Sequence, residues 1–142
     1  MTIDGGLAAI FRARFPSVHW QPIETGGTGR GIPDLNFCSG GVEGWIENKA
    51  TSTLSVGLRP EQIAWLARRS RAGGRAFVAV RRKTEAGPRR GPATDSLWLF
   101  AGDKAAAVAL AGLREDLALG VWSGGPAKWR WTEVARIIFG RP

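Results

Sequence analysis

The chain has 142 residues and a formal net charge of +8, with 20 Lys and Arg against 12 Asp and Glu. Its 44% apolar and 23% charged residues are typical of a single globular domain, and no apolar run approaches the ~18 residues of a membrane span. One cysteine, Cys38, and one histidine, His19, exclude a disulfide framework and a Cys/His zinc site, so any bound metal must be held mainly by oxygen.

The N-terminal part predicts one helix and one edge strand. Apolar residues at three- and four-residue spacing indicate an amphipathic helix over 3–15 that ends before Pro16. The acid and the arginines in this segment favour a helix over a targeting peptide. A strand is predicted over 18–24, confined to a sheet edge or bend by its proline, and a glycine-rich loop over 25–31.

The central part predicts a hairpin followed by a crossover. Segments 33–38 and 42–50 flank a glycine turn, which is typical of a β-hairpin. A helix is predicted over 60–72, with a proline near its start and Gly73-Gly74 after its end. The apolar run 76–80 indicates a buried strand. Because a helix separates it from 42–50, the two strands should be parallel with a right-handed connection.

The last part begins with a basic loop rich in Pro and Gly over 81–92. A strand over 97–101 and helices over 104–113 and 129–139 are predicted after it. No internal repeat or linker is visible. The expected fold class is therefore α/β, with a mixed central β-sheet flanked by helices.

Three charged residues stand where a small domain would be expected to place apolar side chains. Glu47 and Lys49 point to one face of the predicted strand 42–50, and Asp34 begins the neighbouring strand. Pairing of these strands can bring Asp34 close to Glu47, where two carboxylates repel unless a cation lies between them. Such a pair with a backbone carbonyl and waters suits Mg²⁺, and Lys49 could orient water and stabilise charge in phosphodiester hydrolysis.

Each of these residues also has a simpler explanation when it is taken alone. Asp34 after a proline is common turn chemistry. Glu47 and Lys49 could be a mutually paired, solvated face of an edge strand. Their joint occurrence in this order favours the hydrolytic site.

The sequence around these residues resembles the PD-(D/E)xK nuclease superfamily. Pro33-Asp34 stands within Gly31-Ile32-Pro33-Asp34-Leu35, and the second motif is Glu47-Asn48-Lys49. RPEQIAWL over 59–66, a double glycine and the apolar strand 77–80 follow. This order is similar to the VRR-NUC and archaeal-type Holliday-junction resolvase branch, and the likeness covers about residues 29–82. It implies a restriction-endonuclease-like core in a single domain over 1–142, with a C-terminal helical elaboration over about 103–142.

The resemblance also implies roles for individual residues. Asp34 and Glu47 would ligate Mg²⁺, for which Mn²⁺ is expected to substitute, and the carbonyl of Asn48 would complete the inner shell. Lys49 would be the catalytic lysine. Gln62 would face the site and help hold water, the lysine or DNA.

One departure from the family pattern leaves the acid set open. Many relatives carry a glutamate in the first helix as a further metal ligand. Here the candidates are Asp4, near the start of the predicted helix, and Glu24, just before the glycine loop. The two stay as alternatives, and a second metal site is open for the same reason.

The excess of basic charge favours a polyanionic partner, although solubility is an alternative explanation. The densest cluster lies in the predicted loop 81–92, where the alternative is a solvated loop. The residues expected to contact DNA are Arg30, Arg59, Arg81, Arg82, Lys83, Arg89 and Arg90.

These expectations combine into a Mg²⁺-dependent DNA endonuclease with water as the nucleophile. The resemblance favours branched DNA, such as a four-way junction, cut by a homodimer, in the cytoplasm (the host's, if the gene belongs to a phage). The alternatives are a nuclease or nickase with little structural preference and a DNA-binding module on this fold that does not cut. An RNA-binding basic protein would leave Asp34, Glu47 and Lys49 without a purpose.

Overall fold

A computed structural model describes residues 3–24 and 30–140. The helices are α1 (Leu7–Arg14), α2 (Pro60–Arg71), α3 (Ala105–Ala111) and α4 (Trp131–Phe139). The strands are β1 (His19–Pro22), β2 (Leu35–Ser39), β3 (Val42–Thr51), β4 (Arg75–Thr84), β5 (Thr94–Ala101) and β6 (Gly120–Trp122). Most of the loop expected over 25–31 lies outside the described residues. None of the described helices has the length and apolarity needed to cross a bilayer.

The six strands form one sheet in the order β1-β2-β3-β4-β5-β6. The β3–β4 pair is parallel and joined through α2, and the other four pairs are antiparallel. The predicted α/β class with a mixed central sheet is confirmed, as are the hairpin β2–β3 and the parallel return of β4. The C-terminal ends of β3 and β4 therefore lie at the same edge of the sheet.

Each face of the sheet is covered by its own helices. On one face, Leu7 and Phe11 of α1 and Val134 and Ile138 of α4 are fully buried against strand residues such as Ile46. On the other face, α2 and α3 cover a second cluster. Its fully buried members are Leu66, Val78, Val80, Phe100, Ala105 and Val108. Burial of both sheet faces explains why β4 and β5 are almost continuously apolar.

Three differences from the sequence-based prediction change the description of the fold. Residues 81–84 belong to β4 and not to a loop, because β4 pairs with β5 out to Thr84 and Thr94. The C-terminal region is not purely helical, since β6 pairs with β5 there. Helix α1 begins at Leu7 and not at residue 3. Gly5 and Gly6 have positive φ angles of 63° and 76°, and they form a turn before the helix.

The first glycine of the motif, Gly31, fastens the loop before β2 to the start of α2. It is buried, with a φ of 80°. A Cβ added there would lie 2.1 Å from the carbonyl oxygen of Glu61 and 3.2 Å from the backbone nitrogen of Gln62. Such an approach is open only to glycine, and it fixes the loop that carries Asp34.

We expect Gly31→Ala to reduce the free energy of unfolding by about 3 kcal/mol, from backbone strain together with the steric clash. Gly73→Ala is the matched control: it also has a positive φ, 89°, but an added Cβ there meets nothing within 4 Å. The control should lose only about 1 kcal/mol. Urea unfolding of the two variants measures the difference. Equal losses of unfolding free energy in the two variants would show that the close packing of Gly31 against α2 does not contribute to stability.

Candidate active site

The site lies where β2 begins, beside the part of β3 that extends past it. Leu35 pairs with Ile46 in the antiparallel register, and one further step along both strands places Asp34 opposite Glu47. Residues opposite one another share a face, with Cβ atoms about 5 Å apart. The hairpin therefore brings together the two acids that were predicted to meet.

The Asp34 carboxylate, just before the start of β2, accepts hydrogen bonds from β3 in place of a strand partner. Its Oδ1 accepts the backbone N–H of Asn48 at 2.8 Å, and its Oδ2 accepts from Asn48 Nδ2 at 3.2 Å. A strand residue presents its N–H and its C=O to the same side. The Asn48 carbonyl therefore faces the same edge as Asp34, just before the first residue of β2.

Glu47 and Lys49 lie side by side on the face covered by α2. The Lys49 Nζ is 3.7 Å from Glu47 Oε2, and the two side chains are only 14% and 8% exposed. A cavity of about 540 Å³ opens beside them, lined by Ile3, Asp4, Asp34, Glu47 and Asn48. Asp34 and Glu47 thus share a partly desolvated cavity, and Lys49 lies beside Glu47.

Burial raises the pKa of both carboxyl groups. Burial, and next the negative charge of Asp34, raise the pKa of Glu47 to about 7, against the opposing charges of Lys49 and Arg59. Burial also raises the pKa of Asp34, although the hydrogen bonds from Asn48 oppose this. Both shifts mean that ionising these carboxyl groups costs free energy in the folded protein. A bound cation would offset this cost.

The donor set suits a hard cation with few protein ligands. Within residues 3–24 and 30–140, no three His, Cys, Asp or Glu side chains are grouped closely enough to hold a metal. Asp34, Glu47 and the Asn48 carbonyl remain, and all of them are oxygen donors. Mg²⁺ commonly keeps several waters and takes one or two protein carboxylates. The Asn48 Oδ1 is buried without a hydrogen-bond partner among the described residues, so a further acceptor is present beside the site.

The structure separates the two candidates for a further acid. Asp4 lines the cavity with Asp34 and Glu47. Its carboxylate also accepts the backbone N–H groups of Gly6 at 2.9 Å and Ala8 at 3.1 Å, so it caps the start of α1. Glu24 is exposed and is not part of the cavity wall. Asp4 is therefore the better placed acid, at the edge of the site and not in a chelating group.

Gln62 and Arg59 form the start of α2 next to the Asp34 loop. Gln62 is 5% exposed, and its Oε1 accepts the backbone N–H of Arg59 at 3.0 Å. This bond closes the first helical turn, and Gln62 is not part of the cavity wall. The exposed Arg59 lies close enough for its charge to lower the pKa of Glu47.

Arg81 has a structural connection that its sequence context does not indicate. Its guanidinium forms two hydrogen bonds with the Asp95 carboxylate, at 2.9 and 2.7 Å, and donates a third to the Gly5 carbonyl at 2.7 Å. The Arg81 side chain in this pair is 13% exposed. Arg81 therefore ties the turn containing Asp4 to the sheet, and we leave it out of the proposed DNA surface.

The remaining predicted DNA-contacting residues lie on the surface. Arg82 lies on β4 at the edge where β3 and β4 end, with Lys83 beside it. Arg89 and Arg90 are exposed in the loop between β4 and β5, and Arg30 is exposed before Gly31.

Neither a protein-family model nor a curated protein matches the sequence.

Proposed function

We propose that the protein is a Mg²⁺-dependent endodeoxyribonuclease that hydrolyses phosphodiester bonds. The observation that carries the proposal is the juxtaposition of Asp34 and Glu47 at the open end of the hairpin, with Lys49 beside them. A buried and a half-buried carboxylate in one cavity are unfavourable without a cation. The net charge of +8 supports a polyanionic substrate.

Each residue of the site has a defined role in this proposal. Asp34, Glu47 and the Asn48 carbonyl would hold the metal, which when bound supplies charge stabilisation and a more acidic water. The Lys49 ammonium adds positive charge beside the reacting phosphate and helps orient the attacking water. Arg59 at the rim adds a second positive charge for the substrate. No covalent protein nucleophile is required.

The substrate and assembly follow from the resemblance to the PD-(D/E)xK superfamily and not from the geometry. Branched DNA is the proposed substrate, a homodimer the proposed assembly and the cytoplasm the proposed compartment. Mn²⁺ is proposed as a functional substitute for Mg²⁺.

One observation favours a second candidate, a DNA-binding module that does not cut. The described residues contain two adjacent carboxylates but no third one grouped with them, and Lys49 already partly neutralises Glu47. A site of this kind could bind phosphate without activating water.

The deciding experiment compares labelled four-way junction, flap, nicked and linear duplex DNA, each with Mg²⁺ and with EDTA. Wild type is tested beside Lys49→Ala, and Lys104→Ala, which removes an exposed lysine preceding α3, is the matched control. We expect metal-dependent cleavage of the junction by wild type and the control, with loss of cleavage but retention of binding for Lys49→Ala. Equal cleavage of linear duplex would contradict the branched substrate. Tight binding without cleavage of any DNA would support the non-cutting module.

A further inference from the structure

A second concave surface lies at the same edge of the sheet as the candidate active site. It has a volume of about 650 Å³ and is formed where β3 and β4 end and β5 begins. We call it the basic groove. Its lining residues are Ser52, Thr53, Arg82, Lys83, Thr84, Glu85, Arg90 and Thr94.

The chemistry of the basic groove suits an anion rich in oxygen. It contains three cationic side chains and one acid, Glu85, together with four hydroxyl groups. Arg82 Nε donates to the Thr53 carbonyl at 3.0 Å, which orients the guanidinium. In the described part of the chain, the terminal nitrogens of Arg82 have no hydrogen-bond partner, and Lys83 and Arg90 form no ion pair. Their charge is therefore available to a ligand, in contrast to that of Arg81.

The sheet register places this groove next to the catalytic residues. Thr51 follows Lys49 by two residues and so lies on the same face, about 7 Å further along the strand. Arg82 is the direct partner of Thr51 in the parallel β3–β4 register. Glu47, Lys49 and Arg82 thus form one continuous row that leads from the cavity into the groove.

We propose that the basic groove binds the phosphodiester backbone of the cleaved strand at the first or second phosphate beside the scissile one. Phosphates of one strand advance about 3.4 Å each along a duplex axis, so the offset of about 7 Å from Lys49 to Thr51 corresponds to one or two nucleotides. Arg82 is the central contact, and Lys83 and Arg90 flank it. This inference rests on the proposed nuclease function for the identity of the scissile phosphate.

The first test measures DNA affinity in EDTA as a function of salt, so that it does not depend on cleavage. The variant carries Arg82→Gln, Lys83→Gln and Arg90→Gln. The matched control removes the same charge elsewhere, with Lys104→Gln, Arg114→Gln and Arg136→Gln. The slope of log K against log salt is negative, and each lost phosphate contact reduces its magnitude by about 1. We expect a decrease of about 2 to 3 for the groove variant and less than 1 for the control. Equal slopes would overturn the groove as a phosphate site.

The second test places the contact relative to the cut. A neutral methylphosphonate is introduced at single positions on both sides of the mapped cleavage point. For wild type, affinity should fall at least fivefold when the first or second phosphate on one side is neutralised. The DNA affinity of Arg82→Gln should not change with that same methylphosphonate, but it should still fall when more distant phosphates are neutralised. Independent, multiplicative losses from the protein change and the DNA change would refute the placement of Arg82.

The outcomes separate the two proposals. If wild type cuts DNA but the groove variant behaves like its control, the nuclease function stands and the groove is wrong. If wild type cuts no DNA while the groove variant lowers the salt slope, the nuclease function fails. The placement beside a scissile phosphate fails with it, and phosphate binding in the groove is retained.

Discussion

Replacement of Asp34 by asparagine is expected to reduce metal-dependent cleavage by about 10³-fold, with little loss of stability. The asparagine amide oxygen can still accept the N–H of Asn48, which the Asp34 carboxylate accepts at 2.8 Å. Its second polar atom is a donor, so the bond from Asn48 Nδ2 is lost, which costs about 1 kcal/mol. The negative charge that would hold the cation is lost entirely. A loss of about 4 kcal/mol of transition-state stabilisation corresponds to the stated decrease in rate.

Single-turnover cleavage at saturating Mg²⁺ measures the rate, and urea unfolding of the same preparation measures stability. Asp116→Asn is the matched control, since that exposed aspartate pairs with Arg114 on another part of the surface. The control should retain the wild-type rate. Metal-free DNA affinity of Asp34→Asn should be equal to or above that of wild type, because a negative charge near the phosphate has been removed. A rate within tenfold of wild type would exclude Asp34 as a metal ligand.

The meeting of Asp34 and Glu47 could be predicted because it depends on local rules. A short glycine turn fixes the hairpin register, and the alternation of side chains then decides which residues share a face. The parallel arrangement of β3 and β4 follows similarly from the helix between them. These steps use residues that are near one another in the chain, so the sequence pattern contains the information.

The tie between Arg81, Asp95 and Gly5 could not be predicted, because it joins three distant parts of the chain. In sequence, Arg81 is one member of a basic run and is indistinguishable from Arg82 beside it. The alternation along β4 directs Arg82 to the face of Lys49, while Arg81 points to the face that carries α1 and α4. The strand extends past Val80 because β3 pairs with it to Arg82 and β5 pairs with it to Thr84. Strand length set by a partner is a tertiary effect that overrides the local Pro/Gly signal.

The short strand β6 escaped prediction for a related reason. It has three residues, Gly120–Trp122, too few for a period of two to stand out from the surrounding apolar residues. Its pairing with β5 from Leu97 to Leu99 creates the strand. The preference for Asp4 over Glu24 likewise depended on tertiary placement, since the turn before α1 brings Asp4 to the cavity.

Metal-free stability is expected to fall as the pH rises from about 4.5 to 7, because of Glu47. The folded protein holds the pKa of this carboxyl at about 7, above its ordinary value of 4.5. Below pH 4.5 both states carry the neutral acid, so no penalty arises. Between pH 4.5 and pH 7, Glu47 is ionised in the unfolded chain but largely protonated in the folded protein, so the free energy of unfolding falls. Above pH 7 Glu47 is ionised in both states, and the loss of stability is constant. At 1.36 kcal/mol for each pH unit, this amounts to about 3 kcal/mol.

Glu47→Gln should remove this pH dependence. In EDTA, the stability of the variant relative to wild type should increase by about 3 kcal/mol between pH 4.5 and pH 8. Excess Mg²⁺ at pH 8 should stabilise wild type and leave Glu47→Gln unchanged, because binding to the folded state alone raises its stability. Glu115→Gln, at an exposed position, is the control and should follow wild type in both respects.

A difference in stability between Glu47→Gln and wild type that stays constant with pH would mean that ionising Glu47 costs no free energy in the folded protein. The reason for placing a cation between Glu47 and Asp34 would then be lost.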